Sequence, residues 1–213
     1  ADVGIAHDGD ADRVMLMDSE GNEIDGDMVE AVCAIDLKQR GLLAGDTAVS
    51  TVMANLGLTH ALRDAGINLI QTKVGDHYVL EAMREGGYVI GGEQSGHTIF
   101  LEHNSTGDGL VTALQFLAAC KRAGKSAGEA AKAMTRFPQT LINVRVKDKH
   151  AADGNQAIAD AVAAAEAELG EDGRVLLRPS GTEPVVRVMV EAMDEQAAEQ
   201  HAKAIAKVVE REI

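Results

Sequence analysis

Tryptophan is missing from this sequence, and the other aromatics are scarce, with two Tyr and three Phe in 213 residues. Base recognition by stacking depends on such rings, so stacking on bases or sugars is nearly unavailable to this chain. Basic residues are also few. Lys and Arg total 20 against 34 Asp and Glu, a formal net charge of −14, whereas a nucleic-acid-binding surface carries a positive field. No nucleic-acid partner is expected, although a few local arginines suffice for a phosphate site. The two cysteines, Cys33 and Cys120, form no CxxC pair and no metal-ligand cluster. They are expected to be small apolar fillers in helices of a reduced, cytoplasmic protein. No apolar run approaches membrane-spanning length and no signal-peptide pattern is present, so no membrane partner is expected. Only three prolines occur, and each marks a break: Pro138 beside a change of pattern, Pro179 and Pro184 on either side of a polar loop.

What is present reads as two folded units. Val3–Ala6 and Val14–Met17 are strand-like and flank the polar stretch HDGDADR. Gly21-Asn22 marks a turn. Helical spacing covers Asp27–Arg40, Leu56–Ala65, Val79–Arg84, Gly109–Ala123 and Ala127–Met134. Short β-rich runs fall at Thr47–Val52, Leu69–Val74 and Tyr88–Ile90, the last ending at Gly91-Gly92. Strands alternating with helices predict an α/β layer domain with a mainly parallel sheet. After Arg136-Phe137-Pro138 the pattern changes. Thr140–Val146, Val175–Arg178 and Val185–Glu191 read as strands, Ile158–Leu169 as a helical stripe, and Asp194 as the N-cap of a last helix. This predicts a small β-α-β-β-α domain.

Three stretches carry candidate chemistry. Asp8, Asp10 and Asp12 alternate with small residues in DGDADR, and such carboxylates can curl around a hard cation such as magnesium or calcium. An EF-hand is excluded, because its required Gly and Glu positions hold Arg13 and Ser19. In GGEQSGH, Glu93 and Ser95 supply an acceptor and a donor suited to sugar hydroxyls, and His97 a possible acid, base or phosphate contact. In RPSGTEPVVR, Ser180, Gly181 and Thr182 are expected to make an oxyanion nest, with Arg178 and Arg187 adding bidentate contacts to a phosphate. No Walker lysine motif and no dinucleotide glycine fingerprint occurs. Lys73, Asp76, His77 and the TGDG stretch from Thr106 are weaker cleft candidates, and His7 has no evident role.

These three motifs, in this order, resemble the α-D-phosphohexomutase superfamily over essentially the whole chain. Within it, GGEQSGH, VMANLGL, TKVGD, TGDGLVTALQ and SGTEPVVRVMVEA are similar to the phosphoglucosamine mutase branch. The resemblance implies an α/β fold: residues 1–20 as the end of a second domain with the metal loop, 21–136 as a three-layer third domain that binds sugar, and 137–213 as a small α+β fourth domain that binds phosphate. It implies Mg2+ on Asp8, Asp10 and Asp12, with Arg13 near the transferred phosphoryl group. Glu93 and Ser95 would then read sugar hydroxyls, His97 would also bind the substrate, and Arg178, Ser180, Gly181, Thr182 and Arg187 would bind the other phosphate. Ala11 and His77 depart from the family's usual Gly and Arg. The family's phosphoserine, in a Ser-His-Asn-Pro context, has no counterpart here. The chain opens at Ala1 directly on a strand-like segment, as expected of a piece of a longer protein. The expected partners are therefore a phosphosugar and a missing N-terminal half, with self-association through surfaces that half would cover. The chain alone is expected to be inactive. The alternatives are a phosphomannomutase or phosphoglucomutase, a magnesium phosphatase using Asp8 or Asp10, or a non-catalytic phosphosugar-binding module.

Overall fold

The computed structural model describes residues 1–181 and 183–213. It divides into two compact units, Ala1–Arg136 and Phe137–Ile213.

The first unit opens with an antiparallel sheet of order β1-β2-β3, made of β1 (Val3–His7), β2 (Val14–Asp18) and β3 (Glu23–Ile24). The Asp18 carboxylate closes the turn at Gly21-Asn22 by accepting from the amides of Glu20 and Asn22, both at 2.9 Å. Helix α1 (Gly26–Gln39) starts at Asp25, whose side chain accepts from the Met28 amide at 3.0 Å and satisfies a first-turn donor. Then follow β4 (Thr47–Thr51), α2 (Leu56–Asp64), β5 (Asn68–Thr72), α3 (Asp76–Gly86), β6 (Ile90–Gly92), β7 (Thr98–Phe100), α4 (Gly109–Ala123) and α5 (Ala127–Ala131).

Strands β5-β4-β6-β7 form one sheet, in which β4 is parallel to β5 and β6, and β7 is antiparallel to β6. Successive β4 residues serve opposite faces. Ala48 packs into a cluster with residues of α1, α2 and α4, such as Val29, Leu58 and Phe116. Val49 packs with Val79 and Met83 of α3. The unit is thus layered helix–sheet–helix, as the alternating pattern predicts. Val14, Leu16 and Ile24 of the small sheet join the same core as α1 and α4, which fixes the Asp8–Arg13 loop to this unit.

Two boundaries differ from expectation. Gly91 and Gly92 lie inside β6 and not beyond its end. A side chain at Gly91 would run into the Val49 carbonyl, Met83 and Val79, so glycine is required there by close packing. Helix α3 starts at Asp76, earlier than its apolar residues suggest, because its first turn is polar.

The second unit is a three-stranded antiparallel sheet of order β8-β10-β9 backed by two helices: β8 (Gln139–Arg145), α6 (Gln156–Leu169), β9 (Gly173–Pro179), β10 (Val185–Ala192) and α7 (Glu195–Glu212). Val186, Val188 and Val190 face the helices, packing with Ile158, Ala202 and Ile205. Arg187, Met189 and Glu191 alternate onto the other face. Asp194 caps α7 through the amides of Gln196 and Ala197. Cys33 in α1 and Cys120 in α4 are free and buried.

Candidate functional site

The Asp8–Arg13 loop joins β1 to β2. It is tied down by the Arg13 amide donating to Asp8 Oδ1 at 3.3 Å and by the Gly109 amide donating to the Ala11 carbonyl at 2.9 Å. Ala11 sits at φ 59°, in the left-handed region that disfavours a β-carbon. The result gathers Asp8, Asp10 and Asp12, with one carboxylate oxygen of each lying within 4.8 Å of the others. Partial burial, then the Asp10 and Asp8 carboxylates, push Asp12 above the usual carboxylate range; His97 and Arg13 pull it back by less. Three hard oxygen donors in mutual repulsion fit a divalent cation such as magnesium.

The GGEQSGH stretch crosses the exit of this loop. Arg13 and His97 form an isolated antiparallel bridge, and the Val14 amide donates to the Gly96 carbonyl at 3.2 Å. Gly96 holds φ 89°, and a β-carbon there would strike the Val14 carbonyl, so this crossing needs glycine. The turn is closed internally by the Glu93 amide donating to the His97 carbonyl at 2.9 Å and the Gly96 amide to the Glu93 carbonyl at 3.0 Å. Glu93 Oε1 accepts from the Gly75 amide at 3.2 Å, linking the loop to the start of α3.

Arg13, Glu93 and Ser95 line one cleft of about 460 Å³. His97, expected to touch substrate, is not among the residues lining this cleft: it is 2% exposed, with neither ring nitrogen hydrogen-bonded among the described residues. Its Nε2 is 3.7 Å from Asp12 and 3.9 Å from Asp76. Lys73 and His77 instead gather around the Tyr78 ring, at 5.9 Å and 3.9 Å from its centre. His7 Nδ1 approaches the Arg13 carbonyl at 3.4 Å, at the base of the acidic loop.

The cleft also holds residues that motif reasoning did not single out: Glu23, Asp25, Thr51, Met53 and Arg136. Asp25 is buried and lies 3.6 Å from the Arg136 guanidinium. Burial raises it, while the Met28 amide and then Arg136 pull it down by less. In the sequence Asp25 lies just before the helical spacing that begins at Asp27 and prompts no reading of its own, and Arg136 marks only a break.

In the second unit Arg178 on β9 stands directly opposite Arg187 on β10. Burial, and then Arg187, lower Arg178 below the usual guanidinium value. Arg187 reaches Glu183 at 3.7 Å, while its Nε is buried and unpartnered among the described residues. Like charges paired across strands repel, so the pair is suited to an anion between them. Ser180 and Gly181 lie in the adjoining turn, and Thr182 falls outside the described residues. The expected nest of free amides is modified here. The Ser180 amide donates to the Val185 carbonyl at 2.9 Å and the Glu183 amide to Ser180 Oγ at 3.3 Å, so both are used within the turn. The arginine pair is the cationic element.

Residues 25–137 match "Phosphoglucomutase/phosphomannomutase, alpha/beta/alpha domain III", and residues 141–208 match "Phosphoglucomutase/phosphomannomutase, C-terminal domain". The chain belongs to the phosphoglucomutase/phosphomannomutase family.

Among its relatives, a phosphoglucosamine mutase of Frankia alni is 60% identical over 98% of this chain and 46% of the relative's length. A phosphoglucosamine mutase of Arthrobacter sp. is 57% identical over 100% of this chain and 47% of the relative. The chain therefore spans about half the length of the curated relatives it matches. Among solved structures, the Aspergillus fumigatus N-acetylphosphoglucosamine mutase in complex with GlcNAc-6P and magnesium superposes with a TM-score of 0.81 at 22% identity, covering 96% of this chain and 51% of that one. A phosphoglucomutase/phosphomannomutase family protein of Burkholderia thailandensis gives 0.78 at 24% identity, covering 99% and 47%. These likenesses establish the fold. Among the described residues, no helix is long and apolar enough to cross a membrane.

Proposed function

We propose that the chain is the sugar- and phosphate-binding half of a cytoplasmic phosphoglucosamine mutase, which interconverts glucosamine 6-phosphate and glucosamine 1-phosphate. The observation that carries this is the 60% identity with a phosphoglucosamine mutase over 98% of the chain. The convergence of Arg13, Glu93 and Ser95 on one cleft supports it. Residues 1–20 belong to the end of a preceding domain, 21–136 form the sugar-binding domain and 137–213 the phosphate-binding domain.

Glu93 accepts from sugar hydroxyls and Ser95 donates to or accepts from them, while His97 is buried 3.7 Å from Asp12 at the edge of the acidic loop. Arg178 and Arg187, with Ser180, Gly181 and Thr182, hold the phosphate that is not being transferred. That contact recognises a dianion and is indifferent to which end of the sugar carries it. Arg13 stabilises charge on the phosphoryl group in transfer. Asp8, Asp10 and Asp12 would hold Mg2+, which when bound offsets phosphoryl charge. The phosphoserine that exchanges its phosphoryl group with the substrate, through a bisphosphorylated sugar, lies outside this sequence, so the chain alone does not turn over. Such transfers depend chiefly on positioning and electrostatics.

The test is a fusion of this chain to the N-terminal half of the Frankia alni relative, assayed for conversion of glucosamine 6-phosphate. Activity that falls at least 100-fold in Asp10→Asn (about 2.7 kcal/mol of barrier) is the expected result. A folded fusion that converts glucose or mannose phosphates but not the amino sugar would overturn the assignment.

A further inference from the structure

Arg122 and Arg136 each face a carboxylate at α1, and they use their donors differently. Arg122 gives Nε and Nη2 to Asp36 at 2.8 Å and 2.7 Å, a closed fork that clasps two helices. Arg136 faces Asp25, but its Nη1 lies 3.6 Å from Oδ2, and that oxygen has no hydrogen-bond partner among the described residues. The contact is one of charge alone. The Arg136 side chain is 47% exposed, so its N–H groups remain open to a ligand.

Arg136 is nonetheless held in place. Asp25 is 1% exposed, and its Oδ1 is committed to the Met28 amide at the start of α1. A carboxylate withdrawn from water in this way needs a cation nearby, and among the described residues Arg136 is its ion-pair partner. The backbone is fixed too. Met134 is buried in the core of the unit. The Thr135 carbonyl lies so close to Gly57 that a β-carbon there would collide with it. Arg136 is thus anchored at its base and at its tip.

Its open face belongs to the lining of the cleft that holds Glu93 and Ser95. Arg13 and Arg136 are the cationic side chains among the lining residues, and Met15, Met53 and Val74 give it apolar wall. A planar guanidinium with uncommitted donors beside such a wall matches phosphate oxygens, which it can meet through two parallel hydrogen bonds. We propose that Arg136 is a further substrate-binding residue of this cleft: it donates to phosphoryl oxygens of a phosphosugar bound beside Arg13, and Asp25 is the positioning residue that holds it there. This assignment rests on the phosphosugar site proposed above.

The test reads each arginine separately. The Nε–H signals of the chain, assigned by substitution, are followed by NMR during titration with glucosamine 1-phosphate. Arg136 is expected to shift saturably. If Arg178 and Arg187 shift and Arg136 does not, the assignment of Arg136 fails while the phosphosugar reading stands. If Arg136 shifts and the other two do not, Arg136 is upheld and the role given to the second unit fails. No shift in any of them at tens of millimolar overturns both.

Substitution separates contact from mere charge balance. Arg136→Gln should raise the Kd for glucosamine 1-phosphate about tenfold. That change alone leaves the Asp25 charge buried and unpaired. Asp25→Asn combined with Arg136→Gln strands no charge, and Asn still caps the helix. The double variant is expected to recover the unfolding midpoint lost in Arg136→Gln and still to bind about tenfold more weakly than the unaltered chain. Binding restored along with stability would mean that Arg136 only neutralises Asp25, and would overturn the proposal.

Discussion

Ala11 holds a backbone conformation, φ 59°, that an L-residue occupies at a cost of about 1–2 kcal/mol. Glycine would remove that strain while giving the unfolded chain about 0.4–1 kcal/mol more freedom. Ala11→Gly is therefore expected to stabilise the chain by about 0.5 kcal/mol, read as a higher denaturant midpoint at unchanged slope. A lower midpoint would mean that the alanine methyl contributes packing. Arg178 makes a second prediction at this scale. Because it opposes Arg187 across β9 and β10, Arg178→Leu should leave phosphate-free stability unchanged or raise it by about 0.5 kcal/mol. A loss above about 1 kcal/mol, on the scale of a whole hydrogen bond, would make the arginine pair structural. The candidate site residues could be named from the sequence because each sits in a short dense motif. Asp25 and Arg136 could not, since an acid before a helix and a charge beside a break carry no local signal until packing places them.

Helices α1 and α4 are clasped by Arg122, whose Nε and Nη2 donate to Asp36 Oδ1 at 2.8 Å and Oδ2 at 2.7 Å, with Arg40 adding a contact at 3.2 Å. Burial alone would raise Asp36, but the hydrogen bonds from Arg122 and Arg40 outweigh it and hold the carboxyl below its usual value. A depressed carboxyl contributes stability above its unfolded value, near 3.8, and loses it as pH falls through the folded value. Arg122→Ala should thus cost about 1–2 kcal/mol at pH 7. Its deficit should shrink below about pH 4, as shown by unfolding midpoints of both proteins across pH. A deficit that is constant with pH would locate the loss in packing. At this scale most elements follow from periodicity, including α4 and the β-α-β-β-α order of the second unit. The exceptions are physical: Gly91 and Gly92 look like a loop but are strand residues, Gly91 packed against Met83 and Val79 and Gly92 against the His97 carbonyl and Thr98, and the first turn of α3 lacks apolar residues.

Among the described residues the first unit has a core on each face of its sheet, one around Phe116, Leu58 and Val29 and one around Val49, Val79 and Met83, and the second unit has a core around Val186, Val188 and Ile205. The first unit holds the cleft lined by Arg13, Glu93 and Ser95, and the second the Arg178–Arg187 pair across β9 and β10, which are the recognition elements of the function proposed. The change of pattern after Arg136 made this division readable in the sequence, whereas which side chains share a cleft needed the loop crossing at Gly96. The function proposed has this half of the protein bind a phosphosugar without isomerising it, and the chain spans about half the length of the curated relatives it matches. The most direct test is a calorimetric titration of the chain with glucosamine 1-phosphate, glucose 1-phosphate and inorganic phosphate, beside Arg178→Ala. Binding that prefers the amino sugar and falls at least tenfold in the variant, about 1.4 kcal/mol, is the expected result. Binding unaffected by Arg178→Ala, or no binding of any of the three at millimolar concentration, would contradict the account.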